Sequence, residues 1–167
     1  DGAKCTEIPR IIERMNYRRD RIGFIEEGTR HVFVVTATGG TPRQLSSGDF
    51  EHGTAISWTP DGREILFSGL RTEDWEYQWR ESEIYAVNTA DKTIRQLTRR
   101  KGPDTGPEVS PDGRWVAYLG NDWSQDTYQT TKLYVMALDG SNSRLLTGSF
   151  DRSPDGLTWA PDSSGIY

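Results

Sequence analysis

The sequence predicts an all-β fold, a β-propeller fragment of about three four-stranded antiparallel blades. Three observations predict it. The first is a repeated turn: Trp58-Thr-Pro60-Asp61-Gly62 returns as Val109-Ser-Pro111-Asp112-Gly113 and as Trp159-Ala-Pro161-Asp162-Ser163, with its prolines 51 and 50 residues apart. The second is a fixed interval of 13 residues, from Val32 to Leu45, Ile84 to Leu97 and Leu133 to Leu146. The third is punctuation, since 17 Gly and 8 Pro break the chain into short pieces without helical periodicity.

The elements follow in order. Residues 1–20 form an N-terminal segment of uncertain structure. Only Ile8, Ile11, Ile12 and Met15 have helical spacing there, and Pro9 opposes it. Residues 21–46 read as a partial blade around Val32-Phe-Val-Val35. Residues 54–97 and 105–146 read as blades, and 155–167 as the start of another. Within a blade, strand one runs to the residue before the Thr-Pro or Ser-Pro pair, as in Thr54–Trp58. Pro60, Asp61 and Gly62 then turn the chain, as do Pro111, Asp112 and Gly113, and Pro161 and Asp162. Pro presets φ, Asp bonds the backbone, and Gly accepts positive φ. Strand two, Glu64–Phe67 or Trp115–Tyr118, is rich in β-branched and aromatic residues. Strand three is the Ile84 or Leu133 run, and strand four closes at Leu97 or Leu146. A single blade cannot bury both faces, and propellers close with roughly 4–8 blades. The chain therefore reads as a piece of a larger ring.

Composition excludes several classes. With 27% charged residues and no apolar run near the ~20 residues of a bilayer span, a membrane partner is not expected. A net charge of −5 disfavours nucleic acid. One Cys precludes an internal disulfide, and two His argue against a zinc site, so neither metal nor cofactor is expected. Cys5 lacks a neighbouring base and reads as inert. No basic-then-apolar leader opens the chain, which gives a cytoplasmic expectation.

Trp58–Phe67 and Val109–Tyr118 resemble the repeat shared by TolB-like propellers and the N-terminal propellers of prolyl oligopeptidase family serine peptidases. The motif does not separate the two groups. Pro9–Arg18, Gly23–Val35 and Asp74–Val87 resemble the acylaminoacyl-peptidase and dipeptidyl-peptidase-like branch. That resemblance implies a propeller that gates short or N-acylated peptides into a C-terminal α/β-hydrolase domain, which would be a partner together with the remainder of the ring. Homo-oligomerisation stays open. No Gly-x-Ser-x-Gly elbow occurs in these 167 residues, so no catalytic residue carries over and the chain alone is expected to be inactive. The alternative is a non-enzymatic TolB-like protein-binding module.

The candidate contact residues lie in two long strand-two-to-three connections. Asp74, Trp75, Glu76, Tyr77 and Trp79 fall in the first, and Trp123 and Tyr128 in the second. Both connections emerge on one propeller face, so these side chains form an aromatic, acidic rim for a basic peptide terminus or a neighbouring domain, or else simply cap the blades. One Asp per turn (Asp61, Asp112, Asp162) reads as a turn residue rather than a metal ligand. Arg99-Arg100-Lys101 reads as a solvated basic loop. His31 opens a strand and His52 lies in a loop, neither with a Ser or Cys partner identifiable from sequence.

Overall fold

The computed structural model describes residues 6, 9–26 and 28–167; Cys5 and Ile8 lie outside the described residues. Twelve short strands are found among them. They are β1 (Arg18–Arg19), β2 (Gly23–Phe24), β3 (Phe33–Val34), β4 (Arg43–Gln44), β5 (His52–Trp58), β6 (Glu64–Gly69), β7 (Glu83–Asn88), β8 (Ile94–Gln96), β9 (Asp104–Val109), β10 (Trp115–Gly120), β11 (Lys132–Ala137) and β12 (Arg144–Leu145). β5-β6-β7-β8 and β9-β10-β11-β12 are four-stranded antiparallel meanders. β1-β2 and β3-β4 are two-stranded sheets, and an isolated bridge pairs Trp159 with Ile166. The expected β-propeller fragment is what the chain forms. Residues 9–15 are not helical, and Ile11, Ile12 and Met15 are exposed. Pro9 lacks an amide donor, and a helix that short is marginal without packing.

Alternation along β6 and β7 explains why the sheets stack. Ile65 and Phe67 face one way with Tyr85 and Val87, joining Val32 and Leu45 in one core cluster. Leu66, Ile84 and Ala86 face the other way, joining Leu97, Val109, Val116, Tyr118, Tyr134 and Met136 in a second. The β5–β8 sheet is thus buried on both faces, each side chain of the size of Leu66 contributing about 1.5–3 kcal/mol.

The repeated intervals correspond to specific bonds. The 13-residue interval is a backbone hydrogen bond: Leu45 N–H donates to the Val32 carbonyl, Leu97 to Ile84, and Leu146 to Leu133, each at 2.8 Å. The next residue supplies a hydroxyl that accepts the amide opening strand three. Val32 N–H donates to Ser46 Oγ at 2.9 Å, Ile84 to Thr98 Oγ1 at 2.9 Å, and Leu133 to Thr147 Oγ1 at 2.8 Å. In the turns, Asp61 Oδ1 accepts from Thr59 Oγ1 and Arg63 N–H, and Asp112 Oδ1 from Ser110 Oγ and Arg114 N–H. Asp162 Oδ1 accepts from Ser164 N–H and Oγ. Gly62 and Gly113 sit at φ 71°, and Ser163, in the same turn position, at φ 60°. Ser163 Oγ also accepts the Asp112 amide at 3.1 Å, linking successive turns.

Candidate functional site

Two blade-end regions concentrate polar chemistry, and both lie where the strand-two-to-three and four-to-one connections meet. In the first connection a single 3₁₀ turn, Trp75–Tyr77, is bounded by Asp74 and Gln78. Gln78 Nε2 donates to Asp74 Oδ2 at 2.6 Å, and this bond, with one from Thr72, holds the Asp74 carboxyl below its usual range. The turn carries Trp75 and Glu76 into a cleft of about 640 Å³ shared with residues between 10 and 26 and with Gly28. Tyr17, Phe24 and Glu51 also line it. Glu76 Oε2 accepts the Met15 amide at 3.4 Å, while Glu76 Oε1 is buried there without a hydrogen-bond partner. A buried acceptor without a partner is costly, which sets Glu76 apart from the other residues of the turn.

The remaining rim residues behave differently. Tyr77, Trp79, Trp123 and Tyr128 are 70%, 74%, 47% and 78% exposed. Trp79 is covered on one face by the Arg80 guanidinium, 4.5 Å from the ring centroid. Arg80 Nη1 donates to the Ser124 carbonyl at 2.8 Å, which ties the first connection to the second. Trp75 and Glu76 therefore line a cleft, whereas the other four aromatics are exposed and do not line it.

His52 and the basic run differ from the sequence reading, and His31 gains partners that sequence does not identify. His31 does have hydroxyl partners: Nδ1 lies 3.3 Å from Ser46 Oγ and Nε2 3.3 Å from Thr29 Oγ1. Ser46 is buried and already accepts the Val32 amide, so it is a structural hydroxyl and not an exposed nucleophile. His52 opens β5 instead of lying in a loop, and is buried against the Phe67 ring. Its Nδ1–H donates to the Arg30 carbonyl at 2.6 Å, and Nε2 accepts from Arg71 Nη1 at 2.9 Å. That tautomer is neutral. Burial, followed by the Arg71 and His31 charges, keeps its pKa low against the Arg30 hydrogen bond and the Glu51 carboxylate.

Arg100 is not a solvated loop residue. Its guanidinium pairs with the fully buried Asp104 and, at 2.7 Å, with Asp122 Oδ1, and it lies 4.3 Å from the Tyr134 ring centroid. A buried carboxylate needs a partner, and Arg100 is the cation within reach. Arg99 and Lys101 are exposed, so only the middle residue of the run was misread. Beside this pair, Thr98 Oγ1 donates to Glu83 Oε2 at 2.5 Å. Burial pushes the Glu83 pKa up to about 7 against the Thr98 hydrogen bond, with the Asp104 and Glu81 charges adding to the rise and Arg100 opposing it. Among the described residues no cluster of His, Cys, Asp and Glu is arranged to hold a metal, and no helix is long and apolar enough to cross a membrane.

Comparison with known proteins accounts for this architecture. Residues 6–106 match the family described as the dipeptidyl peptidase IV N-terminal region. The chain is 30% identical to dipeptidyl-peptidase 5 of Porphyromonas gingivalis, over 82% of this chain and 22% of that protein. It is 35% identical to the Tol-Pal system protein TolB of Anaeromyxobacter dehalogenans, over 79% of this chain and 27% of that one. The crystal structure of TolB from Acinetobacter baumannii superposes with a TM-score of 0.62 at 21% identity, over 80% of this chain and 30% of that chain, and shares the fold. The chain spans less than half the length of the curated relatives it matches. With its blade repeat and the match over residues 6–106, the chain belongs to the dipeptidyl peptidase IV N-terminal region family, in a propeller form shared with TolB.

Proposed function

We propose that this segment is part of a substrate-gating propeller in a serine peptidase that hydrolyses short or N-acylated peptides, with the catalytic α/β-hydrolase domain supplied outside these 167 residues. The observation that carries this reading is the family match over residues 6–106, supported by the identity to dipeptidyl-peptidase 5. The cleft adds a place for substrate. Its aromatic wall of Tyr17, Phe24 and Trp75 suits a peptide side chain, and the Glu76 carboxylate among the lining residues suits a cationic amino terminus. Tyr77, Trp79, Trp123 and Tyr128 are the surface on which the hydrolase domain docks.

Steady-state kinetics of the full-length polypeptide test this reading. Replacing Glu76→Gln should raise KM roughly tenfold or more for peptides with a free amino terminus, consistent with loss of a charge-assisted hydrogen bond of about 1.5–3 kcal/mol. Acylated peptides should be unaffected. A second reading, a TolB-like protein-binding module, is favoured by the 35% identity to TolB. Absence of hydrolysis of every peptide tried, together with a stoichiometric protein partner, would replace the first reading with the second.

A further inference from the structure

The contact between the β5–β8 and β9–β12 sheets ends in a polar pocket that no substrate-gating role explains. Four carboxyl groups surround one guanidinium there. Asp104 and Asp122 pair with Arg100, Glu81 Oε2 accepts the Gly102 amide at 2.9 Å, and Glu83 is bonded to Thr98. The outer two are solvated or backbone-bonded. The inner two are not, since Asp104 is 0% and Glu83 9% exposed.

Counting protons isolates the problem. Thr98 Oγ1 has one hydrogen and gives it to Glu83 Oε2, while its lone pair takes the Ile84 amide. Arg100 satisfies Asp104 Oδ1, but Asp104 Oδ2 is buried without a hydrogen-bond partner. Arg100 Nε is likewise buried without a partner, so donors are not what is short; two adjacent buried carboxylates beside one guanidinium leave one negative charge uncompensated. The other groups that face this pocket do not help. Tyr134 lies against Arg100, Tyr118 OH is bonded to Ser143, and Tyr85 shares strand β7 with Glu83.

We propose that Glu83 and Asp104 bind one proton from solvent at neutral pH, so that the junction between the two sheets is a proton-held latch. The proton resides on Glu83, the member without a guanidinium, while Asp104 remains ionised against Arg100. The burial that lifts Glu83 to about 7 agrees with this assignment. Because Glu83 binds the proton more tightly folded than unfolded, the latch is closed at acid pH and loosens as pH rises through neutrality. Ser82 and Gly102 flank it, so the connection carrying Trp75 and Glu76 is freed at one end when it loosens. The inference stands independently of the peptidase reading.

The test is thermal unfolding of the full-length polypeptide between about pH 5 and about pH 9, wild type against Glu83→Gln, which is neutral at every pH. The wild type should lose stability across this range, and the variant should lose measurably less. Equal pH dependence in both proteins overturns the proposal. Should the variant fail to fold, carbon-13 NMR of glutamate-labelled wild-type protein decides. A Glu83 carboxyl titrating near 7 supports the latch, and no glutamate titrating above the ordinary carboxylate range contradicts it.

Discussion

The two junctions on either side of the β5–β8 sheet use the same positions with opposite chemistry. At the first, His31, Ser46 and His52 stand at the ends of β3, β4 and β5. At the second, Glu83, Thr98 and Asp104 take the corresponding places, each 52 residues further on. The hydroxyl does one job in both, accepting the amide that opens strand three. Its neighbours do not. The first junction is a neutral imidazole between a carbonyl and Arg71, while the second is a carboxyl pair around Arg100. Both lie beside register shifts in the strand-one-to-two pairing, where a bulge re-aims the first side chain of the strand. The blade repeat therefore fixes where polar side chains are buried, and each junction chooses their charge.

The sharpest way to break this comparison is to remove the cation from each side. Arg100→Ala leaves Asp104 buried and uncompensated and should destabilise the propeller by about 3–5 kcal/mol. Arg71→Ala removes hydrogen bonds to His52 Nε2 and the Ser47 carbonyl and the contact with the Phe50 ring, all neutral partners, and should cost less, about 1–3 kcal/mol. Denaturant unfolding of the two variants measures the difference, and equal losses would mean that Asp104 is not ionised.

A smaller effect sharpens the same contrast through space and not charge. A Cβ at Gly120 would overlap the Arg100 guanidinium, the Asp104 carboxylate and the Pro103 carbonyl. Gly120→Ala should therefore cost about 1–3 kcal/mol by overpacking. Its counterpart Gly69 would meet the Glu51 carbonyl and His52, without an ion pair to separate. Gly69→Ala should be destabilising but indifferent to salt, whereas the Gly120→Ala loss should vary with ionic strength, as unfolding in low and high salt would show.

Much of the fold was legible in the residues, and the reason is local. Pro-Asp-Gly turns and β-branched strand pairs act within ten residues, and the 13-residue interval between Ile84 and Leu97 is itself one hydrogen bond. The hydroxyl one residue later was equally regular at Ser46, Thr98 and Thr147, and aligning the repeats would have exposed it. The junction chemistry was not legible. Arg100 sits between Arg99 and Lys101 and reads as solvated until Asp104 is seen at its side. His52 looked like a loop residue because its strand begins two residues before Thr54, where the sequence opens it. At the rim, sequence grouped seven residues that the structure divides, with Trp75 and Glu76 lining the cleft and Tyr77, Trp79, Trp123 and Tyr128 exposed outside it. Which way each side chain turns depends on the 3₁₀ turn and on packing against residues 10–26, neither of which has a periodic signal.

The central claim is that equivalent junctions carry opposite proton responses, and amide hydrogen exchange reads both at once. Val32 and Ile84 amides are capped by Ser46 and Thr98, so each reports on its own junction. His52 is held below its ordinary pKa, so its junction is intact above about 6.5 and weakens as pH falls through the lowered value. Glu83 is raised, so its junction is intact at acid pH and weakens as pH rises through about 7. Protection factors, corrected for intrinsic exchange and referred to the Leu66 amide, should be compared between about pH 5 and about pH 8. The account predicts that protection at Val32 rises and protection at Ile84 falls over this range. Movement of both amides in the same direction, or no movement of either, would contradict it.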